Sequence, residues 1–295
     1  MNHEMKSLRI IQSMMDERAQ KVEEIVRQKR PDLLEKFFIY SNEAISARLM
    51  LEKNLADLDL NSSILEVGGG TMALSIQLLS EGYKITSVEP LGKGFSEISF
   101  LMNAYLEVAR AENICLTIIP KPIESLTFNE AFDFVFSINV MEHLTDPYGV
   151  LIQINEMLRQ NGEFRFVCPN YDFPYEPHFG KFLFIRKKRA FFLPKRIAKS
   201  SRLTGIEADD LYSSINFITF KKLSRILDKN KAQFRANRHA LYDIYIRSLK
   251  DSQLQVRHQE LFKIVRLMEA LKISFVLRFV PPQIQPVIDI TVYKF

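Results

Sequence analysis

Short apolar runs alternate with amphipathic segments from Ser63 onward, and this alternation predicts most of the architecture. Ser63–Val67, Lys84–Val88, Cys115–Ile119, Phe132–Ile138 and Glu163–Cys168 read as strands. Met72–Leu79, Phe95–Ala111 and Pro147–Arg159 carry apolar residues at helical spacing between them, and Asn161-Gly162 supplies a turn before the last of those strands. Strands alternating with helices imply crossover connections, and therefore a parallel sheet with helices on both faces. Upstream, residues 1–60 show only helical spacing, as in Ile45, Leu49 and the Leu51/Leu55 pair, with Pro31-Asp32 as punctuation; they predict an N-terminal helical cap. Residues 61–295 then form the α/β domain, with inserted segments at about 171–218 and 241–285. Beyond Asn170 the alternation falters. It resumes with a helix over Thr219–Asp228, a strand within Phe234–Ala240, an apolar helix with basic residues over Glu260–Val280, and a terminal strand over Pro286–Tyr293.

Parallel α/β sheets bind ligands beyond the carboxyl ends of their strands. Five stretches qualify here: Glu66–Thr71, Glu89-Pro90, Ile123-Glu124, Asn139–His143 and Pro169–His178. The first is the most specific. Ile64-Leu65-Glu66-Val67-Gly68-Gly69-Gly70-Thr71 runs an apolar strand into three glycines, which permit a sharp turn and close approach of a ligand to backbone N–H groups. The helix after it directs its N-terminus to the same place, favouring an anionic or polar ligand. Gly68 to Ala73 fits G-x-G-x-x-A, which dinucleotide enzymes share, and an acidic residue after the second strand, here Glu89, suits a ribose in either case.

The later motifs separate the two. Phe132 to Pro147, with Asn139-Val140-Met141-Glu142-His143 at its centre, closely resembles the fourth-strand region of class I S-adenosylmethionine-dependent methyltransferases of the type 11, 12 and 23 kind. Met157-Leu158-Arg159-Gln160-Asn161-Gly162-Glu163-Phe164 and Cys168-Pro169-Asn170 resemble that family's helix end, turn and fifth strand. The likeness covers roughly Leu51 to Asn170 plus the terminal strand. It implies a seven-stranded, mostly parallel Rossmann-like sheet whose last strand is antiparallel, with S-adenosylmethionine as cofactor. It also implies roles: Gly68, Gly69, Gly70 and Thr71 against the cofactor's amino-acid end, Glu66 near its ammonium, and Glu89 with Pro90 at the ribose. Ile123 and Glu124 would lie at the adenine, and Asn139 and Val140 at the methionine portion. Met72 replaces the third glycine of the family's longer pattern.

The acceptor is less legible. Asn139 and Val140 stand where amide- and adenine-directed members carry Asn/Asp-Pro-Pro-aromatic, which disfavours those nitrogens. A set of O-methyltransferases holds a metal through Glu-x-x-Glu-His; here the first position is Asn139, leaving Glu142 and His143 as only two candidate ligands, and no metal is expected. His143 also reads as a helix-start residue or a base. The loop Pro169 to Phe179 gathers Tyr171, Asp172, Glu176 and His178. His178 titrates near neutrality and is the first choice for taking a hydroxyl proton, with His143 second and Tyr171 and Glu176 beside them; a purely structural loop is the alternative. The expected activity is methylation of a hydroxyl on a small or lipid-linked acceptor.

Charge adds one feature. The 295-residue chain is 47% hydrophobic, with a net charge of +5. Nine basic residues and no acidic one lie between Lys181 and Arg202; without them, 31 basic residues face 35 acidic ones. Phenylalanines interleave this run, so it reads as a solvated face, as a contact with an anionic membrane, or as a grip on phosphates. An RNA methyltransferase and a non-catalytic cofactor-binding module therefore stay open beside the small-molecule reading. Cys115 and Cys168 fall in apolar runs and are expected as buried free thiols. The first residues mix charges with apolar positions, unlike a signal peptide, and Ile273–Pro282 is too short to span a bilayer. The expected location is cytoplasmic, with peripheral membrane contact as an option.

Overall fold

A computed structural model describes residues 2–90, 96–127, 131–182, 211–249, 255 and 259–295. Most of the basic run, from residue 183 to 202, lies outside them, so its expected membrane or phosphate role has no structural counterpart here. Strands β1 (Ser63–Val67), β2 (Lys84–Val88), β3 (Thr117–Ile119), β4 (Phe132–Ile138), β5 (Leu158–Pro169), β8 (Phe234–Ala236) and β9 (Val287–Tyr293) form one sheet in the order β3-β2-β1-β4-β5-β9-β8. β1 pairs in parallel with β2 and β4, and β2 with β3, whereas β9 runs antiparallel to β5 and β8. This is the seven-stranded mixed sheet that the resemblance implied. A two-stranded ribbon, β6 (Tyr175–Glu176) with β7 (Lys181–Phe182), stands apart.

The chain separates into two compact units, Met1–Phe136 with Met157–Gly162, and Ser137–Glu156 with Glu163–Phe295. In the first, helices α1 (Asn2–Lys29) and α2 (Leu34–Ala56) precede β1, and α3 (Ala73–Ser80) and α4 (Ser96–Ala111) follow β1 and β2. Val22, Val26, Leu33 and Phe37 from the N-terminal helices share one core with Met72, Ile76, Leu101, Tyr105 and Val108. The N-terminal helices are thus packed into the core of this unit by burial of apolar surface. Buried charge ties them further. Arg18, 6% exposed, reaches Gln77 at 2.8 Å and Glu112 at 2.9 Å, and Arg48, 3% exposed, holds Glu81 at 2.7 Å and Glu52 at 2.5 Å. Both are buried planar donors, and their carboxylate partners are only partly exposed.

In the second unit, α5 (Pro147–Met157), α6 (Phe220–Lys229), α7 (Ala240–Ser248) and α8 (Gln259–Ala270) accompany β5, β8 and β9. The β5–β9 register is fixed by a two-pronged ion pair, Arg165 to Asp289 at 3.0 and 2.9 Å, and Asn237 donates to the same carboxylate at 2.9 Å. Buried Asn170 closes the end of β5. Its amide donates to Gln285 O at 2.9 Å, and its carbonyl accepts from Phe220 and Asp172 N–H, each at 3.1 Å.

Several boundaries differ from the sequence reading. α3 starts at Ala73, because Met72 adopts a left-handed conformation (φ 65°) as its N-cap. β3 begins at Thr117, leaving Cys115 exposed rather than buried, while Cys168 is buried as expected. The helix expected to Arg159 ends at Met157, and β5 already begins at Leu158. Asn161 still makes its bend in a left-handed conformation (φ 67°), and a Cβ on Gly162 would lie 2.9 Å from Arg159 O. α6 begins at Phe220, one residue late, with the Thr219 hydroxyl capping it. β8 stops at Ala236, because Asn237 turns to serve Asp289. The long helix expected to Val280 ends at Ala270; left-handed Lys272 (φ 55°) breaks it before a 3-10 turn over Ser274–Phe279. No described helix is long and apolar enough to cross a membrane.

Candidate functional site

The first unit contains the glycine turn. Gly68 (φ 82°) and Gly70 (φ 53°) take conformations that side chains resist. Gly69 is required for a different reason: a Cβ there would lie 2.1 Å from Ser87 Oγ and 2.7 Å from Met72 Sδ. Gly68 N–H bonds Val88 O at 2.8 Å, which ties the turn to the end of β2. Gly70 N–H donates to Glu89 Oε2 at 2.8 Å, so the two residues assigned to opposite ends of the cofactor's ribose and amino-acid portion are already joined. Burial holds the Glu89 carboxyl above its ordinary value.

Glu66 sits beneath this turn. It is 5% exposed, and its carboxylate accepts a short hydrogen bond from Ser75 and a longer one from Ser87. Burial, reinforced by the nearby Glu89 charge, pushes its carboxyl up to about 7. A cationic group arriving here would find a carboxyl ready to ionise. Thr71 is buried at the same turn; Ile123 is buried and Glu124 exposed on a 3-10 turn after β3, and Pro90 is exposed after Glu89. Gly70 and Glu89 are thus joined by a hydrogen bond, and Glu66 and Thr71 lie buried at the same turn.

The second unit contains Asn139, Val140 and the residues singled out for proton transfer. Asn139 is exposed and left-handed (φ 56°), with its N–H on Val167 O at 2.8 Å. Asparagine tolerates that conformation better than most residues. The chain then folds into a 3-10 turn, Met141–His143. Asn216 clamps this turn: its amide donates to Met141 O at 2.7 Å and to Leu144 O at 2.8 Å, and its backbone N–H to Glu142 O at 2.8 Å. Ser214 lies 3.2 Å from His143 Nδ1. Nothing in the periodicity marked Asn216 or Ser214. Only their position just before the next helix, in a polar stretch, hints at a loop that closes back.

Glu176 is fully buried and gathers three donors: Tyr171 Oη at 3.1 Å, His178 Nδ1 at 2.6 Å and Phe179 N–H at 2.8 Å. A carboxylate only accepts, so His178 carries a proton on Nδ1, and in the neutral imidazole the lone pair lies on Nε2. The His143 and His178 rings meet edge to face, 5.1 Å apart. Burial, with the neighbouring His178, lowers His143 to about 4, so it is a neutral imidazole near pH 7. Burial and the Glu176 carboxylate raise the Tyr171 phenol far above its ordinary value, so Tyr171, grouped with His178 in the sequence reading, stands as a hydrogen-bond donor to Glu176. The structure also corrects the ligand inventory: Glu142, His143 and His178 bring three potential metal-binding atoms within 4.8 Å of one another, where the sequence offered two.

Comparisons with known proteins identify the family. A methyltransferase-domain family model matches residues 40–235. The chain is 35% identical over 257 residues to an uncharacterized protein of Mycobacterium tuberculosis, Rv1509, covering 85% of each. It is 33% identical over 106 residues to a tRNA U34 carboxymethyltransferase of Alteromonas mediterranea, spanning 34% of this chain and 30% of that one. Among solved structures, the plantazolicin methyltransferase BpumL in complex with SAH aligns over 97% of this chain and 99% of its own, with a TM-score of 0.48 and 13% identity. The chain belongs to the methyltransferase-domain family and is an S-adenosylmethionine-dependent methyltransferase.

Proposed function

We propose that this enzyme methylates a hydroxyl oxygen of a small or lipid-linked acceptor, with the Glu176–His178 pair removing the proton. The observation that carries the reading is the 2.6 Å contact between the buried Glu176 carboxylate and His178 Nδ1. In the reaction the acceptor oxygen attacks the sulfonium methyl carbon and the carbon–sulfur bond breaks. The neutral thioether leaves, and the hydroxyl proton passes to His178 Nε2. Glu176 fixes the tautomer and stabilises the imidazolium that forms. Tyr171 donates to the same Glu176 oxygen as His178, and Phe179 N–H holds the other. The cradle residues Glu66, Gly68, Gly69, Gly70, Thr71 and Glu89 hold the methyl donor, with Asn139 assigned to its methionine portion.

The test is incubation with methyl-labelled S-adenosylmethionine and fractionated extract, followed by identification of the methylated atom. Label on an alcohol or phenol, lost in Glu176→Gln, supports the reading; label on nitrogen overturns it.

A second reading rests on the nine basic residues between Lys181 and Arg202 and on the partial match to tRNA-modifying relatives. It makes RNA the acceptor. Steeply salt-dependent RNA binding, abolished by neutralising Arg186, Lys187, Lys188 and Arg189, would favour it. Binding to anionic vesicles, lost in the same variant, would favour a cytoplasmic enzyme that meets a lipid-linked acceptor at the membrane.

A further inference from the structure

Two of the five histidines of the chain meet beside a buried carboxylate. The ligand atoms of Glu142, His143 and His178 lie within 4.8 Å of one another. His143 Nε2 faces Glu142 Oε1 at 4.0 Å. On a tetrahedral ion with ligand bonds of about 2.0–2.1 Å, neighbouring donors lie roughly 3.3 Å apart. The three groups are wider than that, so an ion held here would have to draw them together.

The surroundings are those of a ligand set. Each histidine has an outer partner on Nδ1: Glu176 Oε1 at 2.6 Å for His178 and Ser214 Oγ at 3.2 Å for His143. Such contacts fix ring orientation and tautomer, directing Nε2 inward, and a carboxylate partner makes the imidazole a better donor. The turn carrying Glu142 and His143 is itself clamped by Asn216, so two of the three donors are preorganised by backbone. Both imidazoles are borderline-soft nitrogen donors and the third ligand is a carboxylate oxygen, a combination suited to zinc-class ions rather than to calcium or magnesium.

We propose that Glu142, His143 and His178 form a three-ligand site for a divalent transition-metal ion of the zinc class, with Glu176 and Ser214 as its outer partners and a fourth position open to an oxygen ligand. His178 Nε2 is the donor in this role and the proton acceptor in the reading above. The ion and the acceptor's proton therefore compete for one lone pair.

The experiment uses the full chain, stripped with chelator, in a Cys115→Ser background so that the exposed thiol does not contribute. Co2+ is the probe, read by its visible d–d absorption, with Zn2+ as competitor. The expected result is one equivalent of Co2+ bound with the intense bands of a low-coordinate site, displaced by Zn2+. His143→Ala and His178→Ala should each lose the bands, and Glu176→Gln should weaken binding about 10- to 100-fold through His178. Circular dichroism confirms that each variant is folded, and His178→Gln replaces His178→Ala where the latter is not. No stoichiometric binding, or binding that survives loss of both histidines, overturns the proposal. The spectrum does not depend on the acceptor, so a failure of the hydroxyl assignment leaves it intact. Conversely, hydroxyl methylation by a protein that binds no Co2+ rejects the ion alone.

Discussion

The glycine turn after β1 is made from backbone, whereas the cluster around Glu176 is made from side chains. In the turn, two glycines are left-handed and the third has no room for a Cβ, so nearly every requirement falls on consecutive residues. The cluster draws Glu142 and His143 from the end of β4, Tyr171, Glu176 and His178 from the loop after β5, and Ser214 and Asn216 from just before α6. A donor common to a whole family can be held by main-chain geometry that many sequences share. An acceptor needs chemistry that varies, and variable loops carry that more readily.

If this contrast is right, the largest effect comes from filling the turn. Gly69→Ala forces the buried Ser87 side chain off Glu66 and displaces Met72 from the core. The expected outcome is a stability loss of about 2–3 kcal/mol in thermal or denaturant unfolding, and no heat of S-adenosylmethionine binding at concentrations that saturate the parent. A variant that binds normally would show that the backbone is not what forms the cradle.

Glu176→Gln attacks the other region. It keeps shape but removes the charge that faces His178 Nδ1 and accepts from Tyr171. Under the hydroxyl reading kcat falls about 10³-fold, with cofactor affinity unchanged by calorimetry. Equal losses of kcat and cofactor affinity would mean that the two regions are not functionally separable.

Glu66 gives a pH-dependent effect of intermediate size. Its native value is near 7 against an ordinary 4.5, so between these pH values the folded protein keeps a proton that the unfolded chain has lost. Stability from this group is therefore full below about pH 4.5 and declines as pH rises through 7, by about 3 kcal/mol in all. Unfolding midpoints measured across that window should show the slope, and Glu66→Gln should flatten it. If Glu66 meets the cofactor's ammonium, binding near pH 6 also releases a proton, seen as a dependence of the binding enthalpy on buffer ionisation. No proton release would detach Glu66 from the cofactor.

The same contrast explains what the sequence disclosed. The sheet and the glycine turn were legible because period-2 and period-3.6 patterns, glycines and the acidic residue after β2 are all local signals. Where tertiary contacts decide, local signals misled. Met72 scores as a helix residue, but burial in the core with α1, α2 and α4 is compatible with a left-handed cap that starts the helix one residue later. Cys115 sits in an apolar run, yet the edge strand begins only at Thr117. Asn170, Asn216 and Gln285 close loops by bonding backbone groups distant in sequence, a role that composition does not mark. The Glu142–His143–His178 convergence was half visible: the loop was singled out, but its approach to the turn after β4 depends on contacts made after position 210.

Asn139 tests the boundary between the two kinds of construction, because its conformation and its side chain make separate demands. Its left-handed backbone and its N–H bond to Val167 O are satisfied equally by glycine. Asn139→Gly should therefore leave stability within about 0.5 kcal/mol of the parent, while Asn139→Ala, which resists that conformation, should cost about 1 kcal/mol. If the side chain also faces the methionine portion of the donor, both variants weaken S-adenosylmethionine binding about fivefold, roughly the loss of one neutral hydrogen bond. Equal loss of affinity in both, with stability lost only in alanine, is the expected pattern. Affinity that follows stability instead would assign Asn139 to the backbone alone and move it out of the binding set.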